Sequence, residues 1–68
     1  MDKEELKLLQ QKVTLLRAEG KYKETIEGCF TLLNEGLKVN DYKSILTAYI
    51  NFAASYYSVG DIEEAFNS

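Results

Sequence analysis

Histidine, proline and tryptophan are absent from this 68-residue chain, and cysteine occurs once, at Cys29. Each absence excludes something. Without histidine there is no imidazole to ligate a metal or to activate a serine or cysteine nucleophile. Without proline, no ring-locked residue interrupts a helix from within. A lone cysteine closes no internal disulfide, so nothing points to a stapled secreted scaffold. No apolar run approaches the ~20 residues of a membrane span, and the N-terminus lacks a signal-peptide core. Basic residues number 8 against 11 acidic ones, a net charge of −3. That balance disfavours nucleic acid, which rewards a basic surface. The four glycines form no phosphate-cradling motif, so no cofactor is expected. A cytoplasmic setting, away from membranes, follows as the expectation.

What is present is a folded, helical pattern. Hydrophobic residues make up 46% of the chain and charged residues 28%, which argues against disorder. A chain this short buries only about 60% of the surface its unfolded form exposes, so its stability is marginal. Asp2 can cap a first helix, with Glu4 and Glu5 at its positive end. Leu6, Leu9, Val13 and Leu16 then recur at helical spacing, widened by Leu8 and Leu15. Gly20 ends this helix of about four turns. A second helix starts near Lys21, carries Tyr22, Ile26, Cys29, Phe30, Leu33 and Leu37 inward, and ends near Lys38 or Val39. Gly28, inside it, costs roughly 1 kcal/mol against alanine in an exposed helix. It is read as letting a neighbouring helix come close.

Asn40 and Asp41 form the next boundary, since asparagine tolerates the left-handed backbone and aspartate caps a helix. From Tyr42 the apolar stripe reads Ile45, Leu46, Tyr49, Phe52, Ala53 and Tyr56, and it predicts these side chains in the core. Gly60 is expected to break the helix, and Asp61 to cap a fourth that brings Ile62, Ala65 and Phe66 inward. Laid over each other, Gly20 and Gly60 align the two halves at an offset of 40 residues. Leu9 then falls on Tyr49, Val13 on Ala53, Leu16 on Tyr56, and Glu24 on Glu64. A repeat of 20 to 50 residues that cannot bury its own apolar face is the mark of a helical solenoid.

On Tyr49, Phe52-Ala53, Tyr56, Gly60-Asp61 and Ala65 the chain resembles the tetratricopeptide repeat family. The first half matches through Leu9, Val13, Leu16, Thr25 and Cys29. Lys12 departs from the pattern, no proline closes either repeat, and the period exceeds the family's ~34 residues. The resemblance implies an all-α fold of antiparallel helical hairpins, one module over residues 1–68. Repeat one spans about 3–39 and a partial repeat two about 41–68, its last helix truncated. It also implies a peptide-binding concave face made by the first helix of each repeat. By position that face holds Lys7, Gln10, Gln11, Thr14 and Arg17, then Thr47, Ile50, Asn51, Ala54 and Tyr57. Asn51 stands where the family often holds peptide backbone, and an amide both donates and accepts. Lys7 and Arg17 favour a partner with acidic groups. The expected function is non-catalytic binding of a protein or peptide. The alternative is self-assembly into a homodimer or higher oligomer through an apolar face left open by the short last helix.

Cys29 lies on an apolar stripe and is expected to be structural. Glu4-Glu5 and Glu63-Glu64 sit at expected helix starts, where the helix dipole accounts for them without acid–base catalysis.

Overall fold

The computed structural model describes the backbone of residues 1–67 and the side chains through Asp61. Three helices make up the described fold: α1 (Lys3–Ala18), α2 (Tyr22–Lys38) and α3 (Tyr42–Asn67). The first starts as its cap predicts, with the Glu5 N–H donating to Asp2 Oδ1 at 2.8 Å. Both turns share one geometry. Gly20 takes φ 79° and Asn40 takes φ 54°. Beyond each, an N–H reaches back five residues: Lys21 to the Leu16 carbonyl at 3.0 Å, and Asp41 to the Gly36 carbonyl at 2.9 Å. The left-handed residue in each turn lets the chain reverse while satisfying carbonyls the helix end leaves open.

Reversal at each turn makes α1 and α2 antiparallel, and α2 and α3 antiparallel, so α1 and α3 run the same way. Two side-chain bonds fix that register. Gln10 donates to Ser44 and Arg17 to Asn51, both across a separation of 34 residues. The core is Leu6, Val13, Cys29, Leu32 and Ala48, with Leu9, Leu33 and Phe52 packed at its margin. Close approach depends on missing side chains. A Cβ on Gly28 would stand 2.9 Å from Val13 Cγ2, and one on Gly36 would stand 3.0 Å from Ser44 Cβ. The expected role of Gly28 is therefore met at the α1–α2 crossing, and Gly36 does the same for α2 and α3.

Two expectations are corrected. Gly60 does not break the chain: α3 continues through it to Asn67, and the expected fourth helix is the last part of α3. A glycine can be carried inside a helix at about 1 kcal/mol, and no left-handed φ occurs there. The inward packing of Ile62, Ala65 and Phe66 lies outside the described side chains. The second correction concerns faces. On α2 the buried residues are Thr25, Cys29, Leu32 and Gly36, while Phe30 and Leu37 are exposed. On α3 the buried residues are Ser44, Ala48, Asn51 and Ser55, while Tyr42, Leu46, Tyr49 and Tyr56 are exposed. On α1, Leu8 and Leu15 also face out. The physical reason is distance. Helices that touch backbone to backbone present their small residues to each other, and bulky rings are displaced to the rim. Phe52 marks that rim, edge-on to Phe30 at 5.6 Å and stacked on Tyr56 at 6.0 Å between centroids.

Candidate binding groove

Because α1 and α3 run parallel and α2 lies behind them, their outer sides form an open groove. Its volume is about 510 Å³, within the range of pockets that hold small molecules or short peptide segments. Five of the expected residues line it: Lys7, Gln10, Gln11 and Thr14 from α1, and Thr47 from α3. Leu15, Ala18 and Lys43 complete the lining. Lys43 was missed by position, although it lies four residues before Thr47 and hence on the same side of α3. Neither an aspartate nor a glutamate lines the groove. On a chain with a net charge of −3, this face therefore carries two ammonium groups of one sign.

A hydrogen-bonded floor holds the two walls together. Gln10 Nε2 donates to Ser44 Oγ at 2.8 Å, and that hydroxyl donates to Asp41 Oδ2 at 2.7 Å. One turn-pair further along, Arg17 Nε donates to Asn51 Oδ1 at 2.7 Å, and Asn51 Nδ2 donates to the Thr47 carbonyl at 2.9 Å. Two of these four bonds involve a charged group, Arg17 or Asp41. Such bonds are worth roughly 1.5–3 kcal/mol each when charged and about 1 when neutral. The amide expected to face a peptide is thus used inside the fold. Asn51 is only 4% exposed, and its two ends join α1 to α3. Its surroundings correct the expectation of a groove-facing side chain: sequence spacing placed it beside Thr47, but the crossing of α1 over α3 covers it. Arg17 is half-buried by the same contact. Ala54 is half-buried, and Ile50 and Tyr57 are exposed, further along α3 and outside the groove lining.

Elsewhere, Cys29, Phe30, Leu33, Ala48, Tyr49 and Phe52 line an apolar cleft of about 80 Å³ between α2 and α3. That is well below the size of a ligand pocket. Cys29 is buried and its thiol pKa is raised from 9.0 by desolvation. The raised pKa opposes the thiolate form that nucleophilic chemistry needs. Among the described residues no group of acidic or cysteine side chains is placed to hold a metal ion. Nor is any described helix long and apolar enough to cross a membrane.

No family model, no curated protein and no solved structure matches the chain.

Proposed function

We propose that this chain is a protein-interaction module of tetratricopeptide type, which holds an extended, carboxylate-bearing peptide on the α1–α3 face and performs no chemistry itself. The observation that carries the reading is the groove: about 510 Å³, floored by a fixed hydrogen-bond network, with Lys7 and Lys43 in its lining and no acidic side chain there. Glutamine and threonine side chains along the walls supply donors and acceptors for peptide backbone. The ammonium groups would draw a peptide rich in aspartate or glutamate, and would act at contact distance more than through long-range steering in salt. A cytoplasmic setting belongs to the same proposal. Asn51 and Arg17 serve it by setting the spacing of the walls, and Lys7, Gln11, Thr14 and Thr47 touch the peptide.

The test is selection from a displayed random-peptide library, followed by binding measurements on the winners. Acidic peptides should dominate. Thr14→Trp, which fills the groove, and Lys7→Glu with Lys43→Glu, which reverse its charge, should each weaken binding by roughly tenfold or more. Helical circular dichroism should be unchanged, because all three positions are exposed. Winners without acidic bias, or winners indifferent to all three substitutions, would contradict the assignment.

A further inference from the structure

The outer side of α3 is the largest feature that the groove does not use. Tyr42, Leu46, Tyr49, Ala53, Tyr56 and Gly60 follow one another at alternating steps of four and three residues. That spacing is the seam of a coiled coil. All six are exposed, the four large ones from 57% to 78%. Ile50 and Tyr57 flank the seam on one side and are exposed too. Residues 44–60 include no charged side chain. Over Tyr42 to Gly60, at 1.5 Å per residue, the seam is about 27 Å long. A monomer seldom leaves so continuous an apolar face in water.

We propose that this seam pairs with the same seam of a second copy, antiparallel, to form a two-fold dimer. Three observations select that occupant and that direction. The first is charge. Lys43 stands at the start of α3 and Asp61 near its end, on the same flank. Their separation of 18 residues is five helical turns. An antiparallel pair brings each Lys43 toward Asp61 of the second copy, and the sequence adds Glu63 and Glu64 at that end. A parallel pair would set like charge on like charge and align both helix dipoles.

The second is shape. With the two-fold axis at residue 51, Tyr42 meets Gly60 of the second copy, Tyr49 meets Ala53, and Leu46 meets Tyr56. Large faces small in the outer and inner layers, as interdigitating cores require. The third is Gly60 itself. It is helical, and among the described residues no atom beyond its own helical neighbours comes within 4 Å of where its Cβ would be. Neither a turn nor packing among the described residues accounts for a residue that weakens the helix. A tyrosine ring from a second copy does. Lys43 also lines the groove, so the two faces meet at that side chain, but neither proposal requires the other.

Sedimentation equilibrium of the full chain tests this. The wild type should be a dimer at micromolar concentration. Tyr49→Lys and Ala53→Lys should each be monomeric with unchanged helical circular dichroism. The expected loss is roughly 100-fold or more in dimer affinity, because each buries a lone ammonium at an apolar seam. Direction is read by thiol cross-linking with the wild type as control, since its own Cys29 is buried. Leu46→Cys mixed with Tyr56→Cys should cross-link to each other, and neither to itself. A wild type that stays monomeric at about 100 μM overturns the proposal. So does a dimer that survives both lysine substitutions, or preferential cross-linking of Leu46→Cys to itself.

Discussion

Gly28→Ala isolates the contact that sets how close α1 and α2 come. The added methyl has two opposed effects. Alanine is the better helix former by about 1 kcal/mol. Against that, the new Cβ would lie 2.9 Å from Cγ2 of Val13. Val13 is fully buried and branched at Cβ, so this methyl is no flexible tip that swings aside. Relieving the overlap moves a helix or a rotamer, and such overpacking costs about 1–3 kcal/mol. Gly60→Ala provides the matched control: the same substitution, in a helix, with nothing among the described residues within 4 Å. Subtracting one from the other cancels the propensity gain and leaves the overlap. Gly28→Ala should therefore be less stable than Gly60→Ala by about 2 kcal/mol. For a chain of this length that is a large share of a total near 3–10 kcal/mol. Urea unfolding followed by circular dichroism measures it, in the Tyr49→Lys background so that association stays out of the comparison. Equal stabilities for the two variants would refute the α1–α2 spacing described above.

Two further outcomes follow from burial. Leu32→Ala should cost about 2–5 kcal/mol, while Tyr56→Ala in the same monomeric background should cost under about 1; the reverse order in urea melts would mean that the faces of α2 and α3 are rotated. Cys29 should react with a thiol reagent far more slowly in the native chain than in urea. Because burial raises its folded pKa above the unfolded 9.0, the stability it contributes is complete below that value and declines as pH rises past it. Equal labelling rates in the two states would contradict its placement in the core.

Element boundaries were legible in the sequence because their causes are local. Asp2 caps its own helix, and Gly20 and Asn40 take the left-handed backbone that their residue types allow. The inward face of α1, with Leu6 and Val13, was legible too, but those of α2 and α3 were misread, because their cause lies across the chain. Read alone, α3 has two candidate stripes, one of rings and one of small residues. The ring stripe has the more apolar composition, yet Ser44, Ala48, Asn51 and Ser55 are inside. Only the partners decide this: Gly36 against Ser44, and Arg17 against Asn51. The same limit divided the groove. Lys7, Gln10, Gln11, Thr14 and Thr47 were reached by position from the family resemblance, and the structure sets them along one groove. Asn51 was misplaced because the residue that covers it is 34 positions away. Gly60 carried the signal of a turn, and in α3 the backbone continues as helix instead.

The central claim is that α3 is one helix through Gly60, with its small-residue face inward and its tyrosines out. A nuclear Overhauser spectrum of the labelled Tyr49→Lys chain tests it most directly. The account predicts unbroken sequential amide contacts from Val59 through Gly60 to Asp61. It also predicts contacts from Ser44, Ala48, Asn51 and Ser55 to α1 and α2. A left-handed Gly60 with the Tyr42 and Tyr56 rings seated against Leu32 and Val13 would contradict it.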